Sequence, residues 1–143
     1  MLFSRSTEYA IRAAVFLASL KPGTLAGARE ISRAEDIPMP FLWKILHMLA
    51  KRRLVRSFKG LHGGYELALA ADRISLGTLV NVADGSEFLD RCVLGLPQCG
   101  QGHPCPLHEQ WKSIRADLAC MLDETSLADL AQLAQRKRPR KKK

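Results

Sequence analysis

The sequence predicts a mainly α-helical fold with one small β-hairpin: a winged helix-turn-helix followed by a long dimerisation helix. Three observations carry that reading. Residues 38–53 open on two prolines and continue with apolar residues at helical spacing. Two short β-prone runs, 54–58 and 65–69, flank a glycine-rich tip, the pattern of a hairpin. Further on, Leu107, Trp111, Ile114, Leu118 and Met121 are separated alternately by four and three residues, the spacing of a seam that meets a partner helix.

The elements follow in order. A first helix is expected over 7–20, with Tyr9, Ala13, Phe16, Leu17 and Leu20 recurring on one side and Lys21-Pro22-Gly23 ending it. A short second helix lies around 28–34, with Ile31 as its inward anchor. In the third, 40–52, Phe41, Leu42, Ile45, Leu46 and Leu49 line the inward face, while Trp43, Lys44, His47 and Lys51 line the outward one. Ser75 caps a helix over 76–84 that Gly85 ends. Residues 86–106, rich in Gly, Pro and Cys, read as a loop. A long helix resumes near Pro106, and TSLADLAQLAQ forms a last capped segment. The expected organisation is a winged helix-turn-helix over 1–72, a cysteine loop with dimerisation helices over 73–135, and a disordered basic tail over 136–143.

At 143 residues the chain can bury a core without disulfides. No apolar run approaches the roughly 20 residues that span a bilayer, and the N-terminus has no secretory signature. The expectation is a cytoplasmic protein whose cysteines are reduced unless they hold a metal. The formal charge of +8 is unevenly spread. Residues 1–60 carry 11 basic and 4 acidic groups, residues 61–135 carry 4 and 10, and the tail adds 7 basic groups. A cationic head and an anionic rear point to an orientation on DNA rather than to general phosphate attraction.

A helix in the major groove reads base edges, and a wing positions it on the backbone. Trp43, Lys44, His47 and Lys51 are the candidates on the third helix. Lys59, His62 and the backbone amides of Gly60, Gly63 and Gly64 are the candidates at the hairpin tip. For any single lysine taken alone, a solvated helix face is the better reading. The coincidence of helix-turn-helix patterning, glycine tip and cationic head favours DNA.

Cys92, Cys99 and Cys105 fall within 14 residues, spaced C-x6-C-x5-C. Thiolates gathered in a reducing compartment suit zinc or an iron–sulfur cluster. Structural zinc prefers closer C-x2–4-C pairs, whereas wide glycine-rich gaps suit a larger group. Cys120, beside Met121 on the long helix, is assigned to packing. The fourth ligand is open between His108, three residues after Cys105, and Glu8 on the first helix, whose bland alternative is an ion pair with Arg12. His103 is the weaker candidate. No nucleotide fingerprint, Ser/His/Asp grouping or paired carboxylates indicate an enzyme.

Several motifs in order, STEYAIRA, IPMPFLWKIL, LVRSFKGLHGGYELA, the three cysteines, CPLHEQW and TSLADL, resemble the bacterial winged-helix iron–sulfur regulators, the family of IscR and NsrR. The resemblance covers about residues 1–134. It implies a homodimer on near-palindromic operators, a repressor or other regulator that senses redox, nitric oxide or iron status through a [2Fe–2S] or [4Fe–4S] cluster. Cys92, Cys99 and Cys105 match the cluster cysteines, His108 matches a histidine ligand, and Glu8 matches an acidic ligand position of other members. Tyr9, Pro40, Trp43, Lys44, Lys59 and the Gly60–Gly64 wing fall where members contact DNA. This wing carries Lys59 where members often carry an arginine, and the two are not equivalent. The alternative is a cluster-free winged-helix regulator using thiol oxidation or zinc.

Overall fold

A computed structural model describes residues 2–97, 102 and 105–137. Among them, six α-helices, two short 3-10 turns and one antiparallel hairpin surround a single main core.

Helix α1 spans Arg5–Ala18 and begins two residues before the expected start. Ser4 is the cap: its hydroxyl accepts the Thr7 N–H at 3.1 Å. Its other end comes at Ser19, whose hydroxyl donates to the Val15 carbonyl at 2.8 Å and closes the last turn before Pro22. Helix α2 (Ala28–Glu35) ends where Asp36 enters the left-handed region, at φ 51°. Helix α3 (Met39–Lys51) follows after Pro38. Leu42, Ile45, Leu46 and Leu49 of α3 bury against Ala10, Ala13, Ala14 and Leu17 of α1, and small side chains on α1 allow that close approach.

Strands β1 (Val55–Phe58) and β2 (Gly64–Leu67) pair with Val55 opposite Leu67 and Phe58 opposite Gly64. The hairpin is anchored to the segment before α2 by reciprocal bonds between Ala26 and Tyr65, 3.0 Å and 2.8 Å. Gly64, at φ 154°, is required there, because a Cβ would sit 2.8 Å from the Ala26 carbonyl oxygen.

Helix α4 (Leu76–Asp84) is capped by Ser75 and ended by Gly85 at φ 89°, as the residue pattern predicts. Helix α5 spans His108–Glu124, and α6 spans Leu127–Lys137. Ser126 and Asp129 form a reciprocal cap on α6, with Ser126 N–H to Asp129 Oδ2 at 3.0 Å and Asp129 N–H to Ser126 Oγ at 3.1 Å. Leu127 and Leu130 return to the α1–α3 core, so the rear of the chain and its cationic head share one interior. Arg136 and Lys137, expected in the tail, continue α6; residues 138–143 lie outside the described residues.

Candidate DNA-reading face and cysteine centre

Helix α3 turns Pro40, Trp43, Lys44, His47 and Lys51 outward. Their apolar neighbours on the helix are fixed in the core, so the face is carried on a rigid element. Phe41, expected on the inward face, is 52% exposed. It sits one step outside the buried stripe, and its ring rests against Tyr9 at a centroid distance of 6.0 Å. Tyr9 itself is only 9% exposed and belongs to the core. The guanidinium groups of Arg5 and Arg12 lie over its ring at 6.0 Å and 5.7 Å. Tyr9 therefore holds two cations and the start of α3 in place, a role that composition and spacing do not reveal.

The wing tip brings Lys59, Gly60, Leu61 and His62 to the surface. Gly60 takes φ 101°, and a Cβ on Gly63 would collide with the Phe58 carbonyl oxygen. The Gly63 N–H donates back to the Gly60 carbonyl at 3.0 Å and closes the tip, and Gly64 is buried at the start of β2. Of the three glycine amides expected to meet phosphate, the Gly63 one is thus already bonded within the tip, and only Gly60 is an exposed residue. Leu61 is 95% exposed between Gly60 and His62, a position that no motif in the sequence marks.

Cys92 and Cys105 are brought together, with Sγ atoms 3.7 Å apart. Cys92 is buried and Cys105 half-buried, just before α5. Backbone N–H groups of Leu96 and Leu94 point at the Cys92 sulfur and hold its thiol below the ordinary value, against the opposing effect of burial. The Trp111 indole N–H donates to the Arg91 carbonyl at 3.2 Å, tying the Cys92 turn to α5. Two soft sulfur atoms in contact, with amides directed at one of them, form a donor set suited to thiophilic metal or cluster binding. Cys99 and His103 lie outside the described residues. His108 opens α5, where its N–H bonds to the Cys105 carbonyl at 3.1 Å. Among the described residues, no three His, Cys, Asp or Glu side chains gather into a metal-binding group.

Glu8 is half-buried on α1 and faces Arg5 at 4.0 Å, rather than Arg12. Arg12 instead meets Glu35 of α2, also at 4.0 Å. The expected packing role of Cys120 is corrected as well: it is exposed. Helix α5 directs Leu118 and Leu122 toward Leu76 and Val80, which leaves position 120 outside the contact. A hydrogen bond to Glu124 pushes the Cys120 thiol above its ordinary value. The predicted seam divides in the same way. Trp111 and Leu118 are half-buried in the chain itself, whereas Leu107, Ile114 and Met121 remain as an exposed apolar row at heptad spacing.

Asp84, at the end of α4, reaches the start of α1: the Ser4 N–H donates to its carboxylate at 3.3 Å. Burial alone would raise its pKa, but hydrogen bonds from Ser4 and Thr7 and the nearby Arg91 charge together hold it below the ordinary value. This link couples α1 to the segment that leads into Cys92.

A helix-turn-helix with a cationic outward face, beside a glycine-closed hairpin, defines a winged-helix transcriptional regulator. The chain belongs to the Rrf2 family, described as iron-dependent transcriptional regulators, and the family's pattern matches residues 3–133. A Mycobacterium tuberculosis protein named for the helix-turn-helix regulator type, Rv1287, is 38% identical over 133 residues, covering 92% of this chain and 81% of the relative. The regulator IscR of Vibrio atlanticus is 27% identical over 130 residues, covering 91% and 75%. The B. subtilis global cysteine regulator CymR has the same fold, with a TM-score of 0.79 at 24% identity and coverage of 92% and 96%. So has IscR of T. potens, with a TM-score of 0.75 at 22% identity and coverage of 97% and 92%. No helix among the described residues is long and apolar enough to cross a membrane.

Proposed function

We propose that this protein is a homodimeric, DNA-binding transcription regulator, a repressor acting in the cytoplasm and not an enzyme. It reports redox, nitric oxide or iron status through an iron–sulfur cluster. Cys92, Cys99 and Cys105 hold the cluster, with His108 or Glu8 in the fourth position. The observation that carries this reading is the meeting of Cys92 and Cys105 at 3.7 Å where α5 begins. The family description as iron-dependent supports it. Bound iron and sulfide supply a centre that reacts with oxidants and nitric oxide. The chain's own part is to donate thiolates, direct the Leu94 and Leu96 amides at one sulfur, and transmit the state of the Cys92 turn to α5 through Trp111 and Arg91. Pro40, Trp43, Lys44, His47 and Lys51 face the major groove. Lys59, His62 and the exposed Gly60 face the phosphate backbone from the wing, while Gly63, whose N–H bonds the Gly60 carbonyl, and buried Gly64 shape the tip. Tyr9 supports the start of α3 through Phe41 and carries Arg5 and Arg12 on its ring.

Anaerobic purification followed by absorbance, iron and sulfide counting tests the cluster and gives its nuclearity, [2Fe–2S] or [4Fe–4S]. Cys99→Ala removes the visible absorbance and changes operator affinity. Equal operator binding by the loaded protein and the variant would sink the sensing mechanism.

The contact between two sulfur atoms also favours a second reading, a cluster-free regulator that works by thiol oxidation or zinc. The fold shared with CymR, named a global cysteine regulator, is compatible with it. About one zinc per chain with no iron, in a tetrahedral thiolate site, would select this reading.

A further inference from the structure

We propose that the outward face of α3 reads guanine acceptors and thymine methyl groups, with Trp43 as the thymine-methyl contact. This rests on the DNA-binding reading above and adds which base chemistry the face selects.

The argument is one of available chemistry. In the major groove, guanine offers two acceptors, cytosine an amino donor, adenine one acceptor and one donor, and thymine an acceptor and a methyl group. Carboxylates accept from cytosine, and Asn or Gln grips adenine through two bonds. Residues 39–51 contain no Asp, Glu, Asn, Gln or Arg. Apart from Phe41, the exposed residues of α3 are Pro40, Trp43, Lys44, His47 and Lys51. Lysine ammonium groups only donate, and they suit guanine N7 and O6. His47, when neutral, contributes the single acceptor nitrogen on this face, and it makes one bond rather than two. An indole has one N–H donor and is otherwise a flat apolar surface. Trp43 is 57% exposed in the N-terminal half of α3, the part of a recognition helix that meets base edges. Thymine methyl is the apolar group displayed in the major groove. Phe41, the other exposed ring on α3, is turned against Tyr9. That leaves Trp43 as the aromatic available to the groove.

The test uses the full chain. Wild-type protein first selects duplexes from a randomised pool containing all four bases. Each thymine of the selected duplex is then replaced singly by deoxyuridine, which removes only the methyl group. One or more replacements per half-site weaken wild-type binding about fourfold each, the value of one buried methyl. W43A binds the parent duplex more weakly and is indifferent to those same replacements. Its far-UV spectrum stays native, because Trp43 is exposed. A scan in which no uracil weakens the wild type overturns the proposal, as does a W43A protein that keeps the full uracil penalty. Failure to select any duplex would remove the DNA-binding reading and this inference with it.

Discussion

At the scale of single residues, the wing depends on glycine for two distinct reasons. Gly63 has no room beside the Phe58 carbonyl, and Gly64 combines a positive φ with a close approach to Ala26. Gly64→Ala should therefore cost about 1–3 kcal/mol, read as a lower midpoint in urea unfolding. An unchanged midpoint would mean that the Ala26–Tyr65 anchor yields easily. Asp84 makes a different kind of prediction. Its folded-state pKa is lowered, so its contribution to stability is present above the ordinary carboxylate value of 3.8 and is lost as pH falls through the lower folded value. Thermal midpoints of the wild type should fall more steeply in acid than those of Asp84→Asn, with the gap between the two closing below about pH 4. A gap that stays constant across that range would show that the Ser4 bonds do not favour the ionised form.

At the scale of elements, helices with local punctuation were legible in the sequence. Ser75 and Gly85 bracket α4 as their chemistry requires, and the turn after α2 leads into Pro38 and α3. The start of α1 is ambiguous in the sequence because Ser4, Ser6 and Thr7 are all competent caps, and the packing of Thr7 in the core leaves Ser4 as the one that acts. Phe41 departs from its expected inward place because hydrophobicity does not say whether a ring fills the core or leans on its edge. The cysteine segment had no period to read. The meeting of Cys92 and Cys105 depends on how the chain returns to α5, which is a tertiary fact. Helix α5 carries the clearest testable consequence at this scale. Its exposed row includes Ile114, 56% exposed and flanked one heptad away by Leu107 and Met121. If the proposed homodimer covers that row, Ile114→Lys should shift the protein to a monomer by light scattering while the fold persists. A variant that remains dimeric places the interface elsewhere.

At the scale of the whole molecule, the positive charge ahead of the basic tail falls in the part of the chain that carries the proposed DNA-reading face. Residues 1–60 carry a net +7 and residues 61–135 a net −6, so the anionic rear is repelled from phosphate while the head is drawn to it. Each lysine that contacts phosphate steepens the salt dependence of binding by roughly one counterion. Lys59→Ala should reduce the slope of log affinity against log salt by about 0.9, measured on one duplex between low and moderate salt. An unaltered slope would remove Lys59 from the phosphate contacts.

The bonds that pin the wing to the segment before α2, and the return of α6 into the core of α1, have a mechanical consequence. The wing, α3 and α6 share one core, so shifting any of them alone would break packing or backbone bonds. In the proposed homodimer, a signal at the cysteines then acts on the rotation of one subunit against the other, and the pair works as a caliper on the double helix. Inserting or deleting one base pair at the centre of the operator should therefore imitate the signal, changing affinity without any change in the protein.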